Sequence, residues 1–459
     1  MNTARPLSRI ANLSPAQALV FYYALAILLG TGLLATPWAA HDEPLSFLDA
    51  LFTATSAQCV TGLIVVDTGT RLTLFGQCVV LALIQIGGLG IMTFSVYLFI
   101  YLKVGMSSRG RWIIHETLMH TPVSSWHELI RGIVLMTLAI EAVGALLLAF
   151  AFVPLLGFWQ GLYSAIFHSI SAFCNAGFSL FTDSLSGFRD QPLVNLTVMG
   201  LIILGGIGFL VIRELLQVST SQVEKRSLRP KISLHTKIVL TASSFLIVYG
   251  AVMFGWLESG NALAGMSLAE GFWTALFQSV TARTAGFNTI DLETLRAPTV
   301  LLIIFLMFIG ASPGSAGGGV KTTSMALFFA IFFNRLRGNQ HVSLFRRSVP
   351  DEAITKALVL VLLAIILVAL ALFALVIVQS SDPAHDNMEF LDYAFEAFSA
   401  FGTVGLSLGA TAELNSSGKL IIILLMFVGR VGLLTMAFAI AGRTRRHAPR
   451  YAEENIMIG

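Results

Sequence analysis

The chain has 459 residues, of which 56% are hydrophobic and only 12% charged, with a mean hydropathy of +0.82 and a formal net charge of +3. Soluble globular chains carry roughly 25% charged residues, so a water-soluble fold is excluded. Three cysteines, Cys59, Cys78 and Cys174, provide neither a disulfide framework nor paired metal-ligand spacing.

Arg5 and Arg9 precede an apolar stretch at 17–39, which is longer than the apolar core of a signal peptide and therefore reads as a first span. Further long apolar runs begin near residues 73, 128, 192, 236, 299, 354 and 417. They are continuous enough to cross a bilayer as helices of about 20 residues and lack the alternation of a transmembrane β-barrel. Between alternate pairs of runs lie four shorter semi-apolar stretches, at 47–63, 161–178, 270–288 and 391–407. Aligned on Gly62, Gly177, Gly286 and Gly405, they recur at intervals of 115, 109 and 119 residues. A second echo follows 24 to 28 residues later at Gly87, Gly205, Gly310 and Gly429. Self-similarity of this kind defines a repeat: span, short re-entrant helix with a glycine loop, span.

Segments this short do not cross the membrane, and irregular backbone at membrane depth is tolerated only in buried protein or along a watery cavity. The expected fold is an all-α polytopic membrane protein with four such repeats, eight full spans in all, around a single pseudo-fourfold pore per protomer. The repeats are expected at 1–125, 126–225, 226–350 and 351–459.

Placing both termini on one side gives that side 21 of the 28 Lys and Arg, which makes it cytoplasmic by the positive-inside rule. Arg71, Arg189, Arg283, Arg296 and Lys419 fall to the other side, and Lys321 and Arg430 lie within the membrane. The outer side also carries sixteen acidic residues, including Asp42, Glu43, Asp67, Asp291, Glu293, Asp382 and Asp386. A mouth of this sign concentrates cations.

A dehydrated cation needs oxygen ligands from several directions, which rings of backbone carbonyls provide in K⁺-type filters. Turning successive carbonyls to one side requires φ > 0, which costs glycine little. The candidate filter strands are Val60-Thr61-Gly62, Asn175-Ala176-Gly177, Thr284-Ala285-Gly286 and Thr403-Val404-Gly405, with K⁺ held by their backbone carbonyls. The alternative role of these glycines, close helix packing, does not explain four of them in register.

"SAFGTVGLS" (399–407), "NAGFS" (175–179), "TARTAGFNT" (281–289), "SPGSAGGGVKTTS" (312–324) and "MFVGRVGLLT" (426–435) together resemble the Trk/Ktr/HKT superfamily of K⁺ transporters. Length and span count are similar to its bacterial KtrB-type membrane subunits more than to TrkH. The resemblance implies K⁺ uptake by a homodimer in the bacterial inner membrane, one pore per protomer. It also implies a regulatory cytosolic nucleotide-binding ring of KtrA or TrkA type. Relatives with serine at the first-loop glycine favour Na⁺, so Gly62 implies K⁺ preference. Na⁺ stays open as a coupling or activating ion, and a Na⁺-permeable or unregulated cation channel is the alternative. Leu433 stands where the family pattern has proline, and the stretch Gly310-Ala311-Ser312 is slightly off pattern.

In the third repeat the second span is interrupted by Gly310, Ser312, Pro313, Gly314, Ser315, Ala316, Gly317, Gly318 and Gly319, a run that no continuous helix accommodates cheaply. Discontinuous helices near the midplane form ion-handling sites, and a gate just below the filter is expected here, the role the resemblance also implies. Arg430 sits inside an apolar helix, where a charge is expensive and normally faces the bundle interior. It is expected beneath the filter beside this loop, bonding its carbonyls or repelling K⁺. Lys321 does the same or reaches cytoplasmic water.

Glu141 is a coupling-ion candidate or an interhelical polar contact. His168 and Glu396 are expected to make structural hydrogen bonds, and Arg283 to brace the third loop from behind, with Asp291 as a candidate partner. The basic runs 224–231 and 443–450 are positive-inside signals or docking surfaces for a regulatory ring or anionic lipid. No helix-borne His/Glu motif, nucleophile elbow or phosphate loop is found. "GGGVK" (317–321) lacks an upstream strand. No enzyme activity, organic cofactor or nucleic-acid partner is expected.

Overall fold

A computed structural model describes residues 14–104, 126–223, 232–339, 341–381 and 388–441. Arg5, Arg9, most of the 103–131 connector, the 224–231 and 443–450 runs, Asp382 and Asp386 lie outside the described residues.

Helix α1 (Pro15–Leu34) starts at Ser14, whose hydroxyl and the Gln17 amide form a reciprocal capping box, with Pro15 in the first turn. A short helix α2 (Phe47–Gln58), capped by Ser46, leads into the first glycine loop, and α3 (Leu74–Val104) returns. The second repeat runs α4 (Trp126–Leu156), α5 (Phe158–Phe173), α6 (Pro192–Ile207) and α7 (Phe209–Val223). The third runs α8 (Leu234–Glu258), α9 (Leu268–Thr281), α10 (Ala297–Phe308) and α11 (Thr322–Leu336). A small hairpin, β1 (Ser343–Leu344) with β2 (Arg347–Ser348), precedes the fourth repeat. That repeat runs α12 (Asp351–Ser380), α13 (Phe390–Gly402), the single-turn α14 (Ala410–Glu413), α15 (Ser416–Val431) and α16 (Leu433–Ala441).

The four short helices α2, α5, α9 and α13 have 12, 16, 14 and 13 residues. At 1.5 Å per residue each falls short of a hydrocarbon core about 30 Å thick, so each is re-entrant. Among the described residues five helices are long and apolar enough to cross a membrane, and two bent pairs bring the number to seven. The eighth span is the pair of shorter apolar helices α10 and α11 with the loop between them.

The sequence marks a break only in this third repeat. Two more second spans turn sharply: α6 into α7 by 101°, and α15 into α16 by 96°. The turning residues are Gly208 (φ 93°) and Gly432 (φ 89°), each three positions after a second-echo glycine. Pro313 occupies the same position in the third repeat. In the first repeat Gly90 sits there, and α3 runs on without a break. Leu433 simply opens α16 after the Gly432 turn, at the first helical position where proline would also fit.

Packing closes the repeats into a circle. Each short helix packs on the second span of the preceding repeat: α5 on α3, α9 on α6, α13 on α10, and α2 on α15. Large apolar side chains such as Leu28, Phe150, Phe245, Leu362 and Phe373 face outward. Hydroxyl-bearing Ser56, Ser171, Thr284 and Thr403 are fully buried around the centre. Apolar outside and polar within is the distribution a bilayer demands.

A ring of glycine loops above a buried loop

In each glycine loop two residues, rather than the glycine alone, adopt left-handed backbone. They are Val60 (φ 55°) and Gly62 (94°), Asn175 (60°) and Gly177 (69°), Thr284 (70°) and Gly286 (80°), and Thr403 (49°) and Gly405 (90°). Thr61, Ala176, Ala285 and Val404 between them keep negative φ. Alternating the sign of φ turns consecutive carbonyls toward the same side of the strand. A non-glycine residue with φ > 0 is uncommon, and β-branched Val60 and the two threonines are genuine outliers. Four such residues at one repeat position point to function.

The loops are anchored through their amides. Thr61, Ala176, Ala285 and Val404 donate their N–H groups to the carbonyls of Ser56, Ser171, Thr281 and Ser399, at 2.7 to 3.0 Å. The Gly62 and Gly405 amides donate to the Ser56 and Ser399 hydroxyls, each at 3.1 Å. The donors are thus consumed by the short helices, while the carbonyl oxygens of the middle residues lie against the glycine of the preceding loop. A Cβ on Gly177 would stand 2.8 Å from the Ala285 oxygen, and one on Gly286 2.5 Å from the Val404 oxygen. On Gly62 and Gly405 it would overlap the Ala176 and Thr61 oxygens more deeply still. The sequence of contacts 62→176, 177→285, 286→404 and 405→61 closes on itself, so four carbonyls and four glycines form one ring.

The second-echo glycines have a distinct task. A Cβ on Gly87, Gly205 or Gly429 would overlap the carbonyl oxygen of Gln58, Phe173 or Phe401, each four residues before its loop glycine. Gly310 instead meets the Gly318 carbonyl within the broken span. The third repeat has therefore exchanged support of its short helix for a folded loop.

That loop, 309–321, is buried in protein, with Ser312 and Ala316 fully inaccessible, which rules out a position in cytoplasmic water. Its amides at Ser312 and Ala316 donate to the Gly206 and Gly205 carbonyls, both at 3.0 Å, and its Gly314 carbonyl accepts from Phe209 N–H at 3.1 Å. At its centre Gly317 and Gly318 press on the side chains of Thr284 and Thr403, two residues before Gly286 and Gly405. A Cβ on Gly318 would come within 2.9 Å of Thr403 Cγ2, so these positions exclude any side chain.

Two cations hold the far end. Arg430, 2% exposed, donates to the Ala316 carbonyl and, at 2.8 Å, to Gly87 O. Gly87 O also accepts from the Tyr23 hydroxyl at 2.9 Å. Lys321 Nζ donates to the Gly317 carbonyl at 2.7 Å. Both cations therefore bond the loop, and Lys321 is tied to it rather than extended into water.

The remaining sequence candidates separate clearly. Gln85 Nε2 donates to the Glu141 carboxylate at 3.1 Å, and the Cys174 thiol lies 3.8 Å from it, an interhelical polar contact immediately behind the second loop. His168 and Glu396 occupy the same repeat position, nine before the loop glycine, and both tie the short helix to the outward loop. His168 pairs with the Ser179 hydroxyl at 3.0 Å, and Glu396 accepts from Ser407 and, at 2.6 Å, from Thr411.

Arg283 requires a correction. It is buried, so it does not belong to the outer mouth, and its partner is the Ser243 hydroxyl on α8 at 3.1 Å. Asp291 instead accepts from the Glu293 amide. Arg283 occupies the position three before the glycine, where the other loops have Cys59, Cys174 and Gly402. Sequence reading also missed the partly buried ion pair of Lys419 with Asp49 at 2.7 Å, which joins α15 to α2. No sequence signal pairs residues that far apart.

Four re-entrant loops closing a ring inside a bundle of apolar spans define a pore-loop membrane protein. The model of the TrkH family, cation transport proteins, matches residues 16–444, and the chain belongs to this family. It is 40% identical over 448 residues to the Ktr system potassium uptake protein B of Bacillus subtilis, spanning 97% of both chains. Identity to the protein of the same name from Vibrio alginolyticus is 40% over 437 residues, covering 95% of this chain and 93% of that one. The potassium/sodium uptake protein NtpJ of Enterococcus hirae is 36% identical over 455 residues, covering 97% and 98%. Among solved structures, the potassium transporter TrkH from Vibrio parahaemolyticus superposes with a TM-score of 0.72 at 20% identity, over 93% of this chain and 85% of that chain. The fold is therefore that of a multi-pass membrane protein of the TrkH type, and the family is one of cation transport rather than of enzymes.

Proposed function

We propose that this chain is the K⁺-translocating membrane subunit of a bacterial K⁺ uptake system. The observation that carries the reading is the closed ring of the Thr61, Ala176, Ala285 and Val404 carbonyls with Gly62, Gly177, Gly286 and Gly405. Val60, Asn175, Thr284 and Thr403 bring the left-handed turn that directs the strands. Carbonyl dipoles replace the hydration shell of K⁺, and four preorganised loops do so without reorganising at each passage. Loop 310–319, pinned by Lys321 and Arg430 under the ring, is the gate.

In this reading the protein sits in the inner membrane with both termini cytoplasmic, works as a homodimer with one pore per protomer, and is controlled by a KtrA/TrkA-like nucleotide-binding ring and by surrounding lipid. The four repeats keep the bounds 1–125, 126–225, 226–350 and 351–459. Na⁺ is assigned as a coupling or activating ion because a relative at 36% identity is named for both cations. The same relative favours the second reading, a Na⁺-permeable channel of this architecture. Expression in a host that lacks K⁺ uptake is expected to restore growth at limiting K⁺. Repeating the assay with and without Na⁺ separates the two readings: growth that fails at low K⁺ while Na⁺ uptake rises would favour the second.

A further inference from the structure

Beside the 310–319 loop, between α3, α11, α12 and α15, lies a cavity of about 250 Å³. Its walls are mostly apolar, formed among others by Ile91, Leu360, Phe401, Val431 and Leu434, yet Lys321 and Arg430 both border it. No carboxylate lines it, and neither cation has an acidic partner among the described residues. Arg430 is buried and keeps one donor, Nε, without any partner. The hydrogen bonds of the pair to the main chain go to uncharged carbonyls, on the adjacent loop residues Ala316 and Gly317 and on Gly87. Buried cations are ordinarily matched by negative charge, and a guanidinium is built to receive a carboxylate or phosphate in preference to a single carbonyl.

We propose that this cavity binds the anionic head of an amphiphile, a carboxylate or phosphate bearing an acyl chain, between Lys321 and Arg430. The apolar walls take the first part of the chain and the two cations take the head, a division that a free inorganic anion would not use. The occupant competes with the loop for its tethers: each hydrogen bond that Lys321 or Arg430 gives to the head is withdrawn from Gly317 O or Ala316 O. It also offsets the positive charge under the ring. The amphiphile thereby favours the released loop, a consequence that rests on the gate reading above, whereas the binding itself does not.

The test is photolabelling of the purified full-length protein with a diazirine-bearing palmitic acid, against its neutral methyl ester, followed by peptide mapping. Label is expected within 319–324 and 428–435. It is expected to fall about tenfold with the ester and with Lys321→Gln, the loss of one charge-assisted hydrogen bond, and to return with Lys321→Arg. Equal labelling by acid and ester, or no change in Lys321→Gln, overturns the proposal by showing that the chain merely partitions into the membrane. Displacement by millimolar inorganic phosphate overturns the choice of an amphiphile, since the head alone would then suffice. Because labelling is read without transport, a failed gate would appear as unchanged flux in Arg430→Ala with labelling intact in the wild type.

Discussion

Serine or alanine at Gly405 or Gly62 is expected to reduce the preference for Rb⁺ over Na⁺ at least about tenfold, equivalent to about 1.4 kcal/mol, with total uptake reduced as well. Two costs act together. An L-residue at φ near 90°, where both glycines sit, pays roughly 1–2 kcal/mol or more for its backbone. The added Cβ also overlaps the Thr61 oxygen from position 405 and the Ala176 oxygen from position 62, both members of the ring, so relief comes only by moving a ligand. The four positions are graded. Gly177, with 2.8 Å to the Ala285 oxygen, has the most room and is expected to give the mildest defect, with Gly286 intermediate. The check is ⁸⁶Rb⁺ uptake with Na⁺ competition in vesicles. Unchanged selectivity at both Gly62 and Gly405 would remove the ring from the conduction path.

Arg430→Ala is expected to raise ⁸⁶Rb⁺ flux, and removal of residues 313–318 to do the same. The guanidinium supplies charged hydrogen bonds to Ala316 O and Gly87 O, each worth about 1.5–3 kcal/mol. Gly87 O retains Tyr23, so the released energy is concentrated on the loop. Loss of one such bond shifts a closed loop toward open by roughly tenfold or more, and removal of the charge lowers a barrier to cations besides. Arg430→Lys separates the two effects. It keeps the charge but not the forked geometry that spans both carbonyls, so flux as high as that of Arg430→Ala assigns the effect to tethering and wild-type flux assigns it to charge. Flux that falls or stays level in both the deletion and Arg430→Ala contradicts the gate.

Much of this was legible because the repeats are marked by residues whose chemistry is restrictive. Gly62, Gly177, Gly286 and Gly405 announce their loops since few residues tolerate their φ, and the 310–319 run stands out because its glycines and Pro313 are crowded together. Arg430 was legible because a charge inside an apolar helix has few places to go. What stayed hidden lacks such a mark. Val60, Asn175, Thr284 and Thr403 share a left-handed backbone that no common side chain signals; the surrounding ring imposes it. The turns at Gly208 and Gly432 each depend on a single glycine among 40, and Gly90, at the matching place in α3, stays helical. The Arg283 partner was misjudged because Asp291 is near in sequence, whereas Ser243 reaches it through the packing of α8 behind the third loop.

The central claim is that four carbonyls, from Thr61, Ala176, Ala285 and Val404, bind the permeating ion. Crystals grown in Rb⁺ and measured at the rubidium absorption edge test it most directly. An anomalous peak is expected on the axis of the ring, within coordination distance of all four oxygens, that disappears when Na⁺ replaces Rb⁺. Rubidium bound elsewhere in the protein, with none at the ring, would contradict it.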